Sequence, residues 1–246
     1  MNMSRYVGSK WTKTVAIRKQ PFLAPYVPET SRMTKLSLRT QLLKYRMVYV
    51  KPEFGMHGNG VMRVEKVEQG YRYQLGNSVK TYKEFDSLYK GITAAKKRGR
   101  YLVQKGIHLL KHNGRRFDLR VMAQLTPSKR WITTGIIGRV AAKHKIVTNY
   151  HSGGQILTAE KLLQPHTGKV QPKLELLSKL GVVAGQAMGR SFPGVRMIGL
   201  DVALDQTLNP WVLEVNTSPD PHIFRKHPNP QIYRSIMKLI RTNRRS

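Results

Sequence analysis

The sequence has no cysteine among its 246 residues and few acids, 13 Asp and Glu against 44 Lys and Arg. The first absence excludes disulfides, thiolate metal sites and a cysteine nucleophile. The second leaves a formal charge of +31, a field that attracts nucleic acid, acidic polymers or anionic surfaces but says nothing about fold. Glu29 is the one acid in the first 46 residues, and none follows Asp220. A basic surface that only keeps the chain soluble is the plainer reading of this imbalance. No apolar run approaches membrane-spanning length, and the opening MNMSRYVGSK has no apolar h-region. A soluble, cytoplasmic protein without a signal peptide or membrane span is therefore expected. An RNP string, a zinc-ligand pattern and a Ser-His-Asp pattern are also missing.

What is present is enough apolar residue, 40%, for one large domain or two tightly joined lobes. Residues 1–30 read as a polar arm or irregular lead-in. The stretch 33–45 reads as a short helix with Met33, Leu36, Thr40 and Leu43 on one side. RMVYVKP is a buried strand ending at Pro52, and VMRVEKV, YRYQLG and SVKTY are short strands. Residues 82–98 have helical spacing through Phe85, Leu88, Ile92 and Ala95. YLVQKGI, FDLRVMAQL and WITTGIIGRVAA read as strands of a second sheet. A polar segment, 143–155, precedes a helix over 173–191 through Leu177, Leu180, Ala184 and Met188. RMIGLDVAL and WVLEVN are strands around a DQTLNP turn, and 229–242 is a terminal helix. Strands and helices mix without βαβ alternation, which predicts α+β with antiparallel sheets.

Two places carry chemistry. The first is the glycine loop after Lys51, with Gly55, Gly58 and Gly60. Such a loop can adopt positive φ, approach a ligand closely and turn free N–H groups toward an anion. Lys51 can add charge to a phosphate. This is not a Walker A motif, because the lysine precedes the glycines. An ordinary hairpin loop is the alternative.

The second is the strand pair 196–204 and 211–216. If Leu204 faces Trp211, Asp201 faces Glu214, with Cβ atoms about 4.5–5.5 Å apart. Two opposed carboxylates repel, so either one holds a proton or a cation lies between them. Asn216 projects from the same face as Glu214. Two carboxylates and an amide oxygen suit Mg²⁺, which keeps water and phosphate ligands. The alternative is neutralisation by the lysines and arginines in which the chain abounds.

Taken in order, Lys-Pro…Gly-x-x-Gly-x-Gly-Val, Phe-Asp-x-Arg, Asn…Gly-Gly, Gly-x-Asp and Glu-Val-Asn-x-x-Pro resemble the ATP-grasp fold across Tyr49–Pro221. Within it the strings YVKPEFGMHGNGVMRVEK, YLVQKGIHLLKHNGRRFDLRVMAQ, VTNYHSGG and GLDVALDQTLNPWVLEVNTSPDP most resemble the YheC/YheD endospore coat-associated proteins. The resemblance implies ATP between two α+β lobes, the smaller over about 47–105 and the larger over about 106–243, after a basic arm and short helix at 1–46. It implies that Lys51 and the 55–60 loop hold phosphates. Gln104, Lys105, Gly106 and Ile107 would form a hinge strand that reaches adenine mainly through backbone groups. Arg120 would face the phosphoryl-transfer centre, with Asp118 orienting nearby groups, and Asn149 would lie beside the metal. Asp201, Glu214 and Asn216 would hold Mg²⁺, or Mn²⁺ in its place.

The sequence departs from the family pattern in three ways. Met56 and His57 replace the small hydroxyl residues usual in the loop, and Gln104-Lys105 offers no hinge acid for ribose. Fewer than 50 residues precede the Lys51 strand, too few for a full N-terminal pre-ATP-grasp domain. Part of the usual substrate site would then be absent, or supplied by a partner. The implied chemistry is an ATP-dependent ligase that joins a carboxylate, or an acidic polymer, to an amine through an acyl phosphate. The resemblance also implies spore-coat association and spore-coat protein partners in a spore-forming bacterium. A non-catalytic nucleotide-binding coat protein and a basic nucleic-acid-binding protein are the alternatives, and non-specific polyanion binding is expected in any case.

Overall fold

Two antiparallel sheets organise the computed structural model, which describes residues 5–55, 58–142, 146, 148 and 153–245. In chain order the elements are α1 (Lys10–Arg18), β1 (Thr30–Arg32), α2 (Lys35–Tyr45), β2 (Met47–Pro52), β3 (Met62–Val67), β4 (Gly70–Leu75) and β5 (Ser78–Tyr82). There follow α3 (Phe85–Ala95), β6 (Tyr101–Lys105), β7 (Lys111–His112), β8 (Arg115–Leu125), β9 (Trp131–Val140) and β10 (Gln155–Thr158). The last are α4 (Ala159–Leu163), α5 (Val170–Ser191), β11 (Met197–Leu204), β12 (Pro210–Asn216) and α6 (Pro230–Arg245). The α+β class expected from the mixed pattern is what forms.

The first sheet runs β1-β6-β2-β3-β4-β5. Helices α2 and α3 cover it, and Phe85, Leu88 and Ile92 of α3 enter its core as their i, i+3 and i+7 spacing predicts. Each such fully buried side chain contributes about 1.5–3 kcal/mol. The sequence reading put YLVQK in the second sheet, but β6 lies in the first, between β1 and β2. Residues 101–104 are all buried, which calls for an interior strand, and the three-residue β1 that makes it interior is too short to show in the sequence. Helix α2 also turns a different face inward. Leu38, Gln41 and Leu42 are buried, while Leu36 and Leu43 are exposed. Gln41 tolerates burial because its amide donates to the Ser31 hydroxyl at 2.9 Å.

The second sheet runs β10-β9-β8-β11-β12, with β7 paired to β8. Helix α5 covers one face through Leu177, Leu180, Ala184 and Met188. Helix α6 and the turn at His222–Lys226 cover the other, where Phe224 and Ile236 meet Met122 and Ile137. The central strand β8 is therefore buried on both faces from Phe117 to Gln124. Any polar residue there must find a partner inside the protein.

The stretch before residue 47 enters both lobes. β1 and α2 belong to the first sheet's layer. The lead-in read as irregular holds helix α1, N-capped by Ser9, which accepts from the Thr12 N–H. Ala16, Ile17 and Leu23 join the core of the second lobe.

Candidate functional site

A cavity of about 270 Å³ opens between the two sheets. Its floor in the first lobe comes from the ends of β2 and β6 and the loop after β2. Lys51 and Gln104 meet there, the ammonium donating to the amide oxygen at 2.5 Å. The Gln104 amide nitrogen donates onward to Thr30 Oγ1 at 3.1 Å. Lys51 is half-buried, and burial of its ammonium pushes its pKa from 10.5 to about 8. Glu214 and Asp201 act in the opposite sense, and Lys10 adds to the lowering.

The glycines of the loop have φ of +133° at Gly55, +72° at Gly58 and +75° at Gly60, a region in which side-chain-bearing residues are strained. Gly55 and Gly58 line the cavity. Gly60 packs instead against Pro52 and Tyr101. Lys105 and Ile107 line the cavity, and the Lys105 ammonium sits 4.2 Å over the Trp211 ring. Gly106 is not at the wall. It lies under Met47, where a Cβ would come within 1.9 Å of the sulfur and 2.8 Å of the carbonyl oxygen. The N–H groups of Lys105 and Gly106 bond to the carbonyls of Glu29 and Met47.

The second lobe supplies the carboxylates. Asp201 lies opposite Glu214, as the sequence implied, but by a different route. At the turn Leu204 faces Pro210 rather than Trp211, one residue away from the expected register. A β-bulge beside Asp201 then takes up Leu213 as an extra residue and brings Glu214 into place. Leu213, Glu214 and Asn216 all reach the cavity.

The cations facing these acids belong to the protein. Arg120, the register partner of Asp201 on β8, donates Nε to Oδ1 at 2.7 Å. Arg139 Nη2 lies 3.0 Å from Asp201 Oδ2 and also holds Asp118 through two hydrogen bonds of 2.8 and 2.6 Å. The Thr148 hydroxyl donates to the same Asp118 carboxylate at 2.5 Å. Burial alone would raise Asp201, yet Arg120 and Arg139 hold it down to about 2. Burial pushes the Asp118 carboxyl up, against the pull of the Arg139 guanidinium beside it. The Asn216 amide nitrogen is 3.4 Å from Asp201 Oδ2. Glu214 has Lys10 and Lys13 ammonium groups at 3.7 Å each. Among the described residues, no three of His, Asp and Glu gather as a metal cluster.

Ten of the thirteen site residues read from the sequence therefore share one cavity wall. Gly60 and Gly106 instead pack behind it, and Asn149 lies outside the described residues. Arg139, Thr148, Lys10 and Lys13 were not singled out. A lone arginine in the apolar run GIIGRVAA was a signal, since a buried guanidinium requires a carboxylate.

The YheC/D-like ATP-grasp family model matches residues 2–242. The endospore coat-associated protein YheD of Bacillus subtilis (strain 168) is 26% identical over 228 residues, 90% of this chain and 50% of that protein. The endospore coat-associated protein YheC of the same organism is 24% identical over 227 residues, 88% of this chain and 61% of that protein. The chain thus spans about half the length of the first of these relatives and three-fifths of the second.

Proposed function

The chain belongs to the YheC/D-like ATP-grasp family, and on that footing we propose that its inter-lobe cavity takes ATP with Mg²⁺ and uses it to activate a carboxylate for attack by an amine. The observation that carries the reading is the convergence of Lys51, Arg120, Glu214 and Asn216 on one cavity from three strands of two sheets. Ile107 and Leu213 give that cavity apolar wall for a ring, and the lysines and arginines give charge for phosphates.

The donor set fits Mg²⁺ in part. Among the described residues Glu214 has no cation closer than 3.7 Å, and it shares one strand with Asn216. Two oxygen donors suffice for Mg²⁺ when phosphate and water complete the shell. Both oxygens of Asp201 are held by arginines, so Glu214 and Asn216 would hold the ion. Its contribution there would be to neutralise phosphate charge.

The chain's own residues do the rest by position. Lys51 and Arg120 place positive charge where a transferred phosphoryl group gathers negative charge. Arg139 and Asp118 keep Arg120 and Asp201 in register. Phosphoryl transfer to the carboxylate makes an acyl phosphate and ADP, and attack by the amine then expels phosphate. No nucleophilic side chain is required. The names of the relatives extend the reading to endospore coat association, with an acidic peptide or polymer as the acceptor that the +31 charge favours.

Calorimetric titration of ATP with and without Mg²⁺ tests the site. The wild-type chain binds Mg²⁺-dependently, and Glu214→Ala loses that dependence. ATP that gives no heat and no thermal shift at millimolar concentration would falsify the reading. A second reading, nucleotide binding without turnover, is favoured by the arginines on Asp201. Release of ADP and phosphate only when carboxylate and amine are both supplied decides for the ligase.

A further inference from the structure

Exposed rings and cations meet on one surface beside the glycine loop, from segments far apart in the sequence. Tyr6 and Phe54 are 54% and 53% exposed. Gly8 lies between them, since a Cβ there would come 3.3 Å from the Tyr6 ring and 3.6 Å from the Phe54 ring. The Arg100 guanidinium rests over Phe54, 5.7 Å from the ring centroid, with its side chain 61% exposed. A second pair of this kind places Arg32 5.6 Å over the half-buried Trp11. Arg32 is the register partner of Leu102, two residues along from Arg100.

The backbone under these rings is fixed. The Lys10 N–H bonds to the Glu53 carbonyl at 3.0 Å, and the Ser9 hydroxyl donates to the Glu53 carboxylate at 2.6 Å. The Val7 N–H donates to Thr217 Oγ1 at 2.9 Å. Loop 96–100 is held by the Lys97 N–H, which donates to the Tyr101 hydroxyl at 3.0 Å. Glu53 is 2% exposed and paired with Arg100 at 3.0 Å, so its charge is used inside. The exposed charged residues along 5–12 and 96–100 are Arg5, Lys97, Arg98 and Arg100, all of them cations.

Charge alone would suit any polyanion, and the rings narrow the class. An acidic polypeptide brings carboxylates but no repeated flat faces to lay on Tyr6 and Phe54. In a duplex the base faces are already stacked on one another. A single strand of nucleic acid brings both, a phosphate for the cations and an open base face for each ring. An arginine already stacked on a ring extends that platform. We infer that the surface formed by Tyr6, Phe54, Arg100 and loop 96–100 binds single-stranded nucleic acid without sequence preference. None of these three side chains lines the cavity, so the inference does not rest on the nucleotide reading.

The test is fluorescence anisotropy of the full chain with a labelled oligothymidylate of about twelve nucleotides, a length that one such surface can cover. Labelled polyglutamate of equal charge and duplex DNA are measured at the same salt. The variants are Tyr6→Ala combined with Phe54→Ala, Leu36→Ala as a 74% exposed apolar side chain on α2, and Lys51→Met in the cavity. The double variant should lose about tenfold or more of its oligothymidylate affinity, with polyglutamate and duplex affinities within about twofold. Its salt slope should stay that of wild type, because no phosphate contact is removed. L36A and K51M should hold oligothymidylate within about twofold of wild type. Wild-type chain that binds oligothymidylate no more tightly than polyglutamate overturns the inference. So does a double variant that weakens all three probes equally or none, or a K51M loss as large as the double variant's. If the double variant melts early, Phe54→Leu, which keeps an apolar side chain and removes the ring, carries the same comparison.

Discussion

Arg139 and Asp118 face each other across β9 and β8, joined by two hydrogen bonds of 2.8 and 2.6 Å with both side chains almost sealed from water. The same guanidinium reaches Asp201 at 3.0 Å, so one buried cation secures two carboxylates.

Arg139→Met therefore strands Asp118, which is 2% exposed, without its cation. Removing one partner of a buried pair costs about 3–5 kcal/mol, because the remaining charge is uncompensated. Equilibrium urea unfolding should show that loss at pH 7. The loss should shrink when Asp118→Asn is added to the same chain, since the orphaned charge is then gone.

Lys51 should make nucleotide affinity depend on pH. Its folded-state pKa is about 8, and the protonated form is the one that attracts phosphate. Affinity for Mg·ATP should be level below pH 8 and fall above it, and Lys51→Met should abolish that fall. For stability the sign is opposite. The folded value lies below the ordinary 10.5 of a lysine, so this group costs stability below pH 8 and the cost is relieved as pH rises toward 10.5. Titration and unfolding over pH 7–10 would show the two trends diverging.

Gly106→Ala should act on packing rather than on a ligand. The new methyl meets the Met47 sulfur and carbonyl oxygen, and such overpacking costs about 1–3 kcal/mol. The midpoint of unfolding should drop, while ATP affinity measured well below the midpoint stays within about twofold, a factor equal to about 0.4 kcal/mol.

Polyanion binding should be separable from the nucleotide site. With a formal charge of +31, affinity for a DNA or polyglutamate probe should fall steeply with salt. The slope should be the same in Glu214→Ala, which leaves the basic surface intact. A matching slope means that surface charge, not the cavity, holds the probe.

The sequence revealed those parts of the fold whose buried faces are apolar. Helices α3 and α5 and strands β2, β11 and β12 follow their patterns because Phe85, Leu88, Leu177 and Leu180 fill the positions that face the core. It concealed elements whose buried face includes a polar residue. Gln41 sits inside on α2, and Lys13 sits inside on α1 beside Ala16 and Ile17. Each has a polar partner outside its own helix, Ser31 and Glu214, which periodicity cannot show. Glu214 was found through the pairing of two strands, and Arg120 through motif order. Arg139 was missed because it belongs to no motif and only the β8–β9 pairing brings it to Asp118.

The bulge at Leu213 has a further consequence for how the site can change by descent. In an unbroken strand, neighbouring residues look to opposite sides, so apolar wall and charge must come from alternate positions. Here Leu213 and Glu214, consecutive in the chain, both meet the cavity. A substitution at Leu213 can reshape what the chamber accommodates while the adjacent codon keeps its carboxylate. The fit of the guest and the charge that acts on it are thereby open to separate selection.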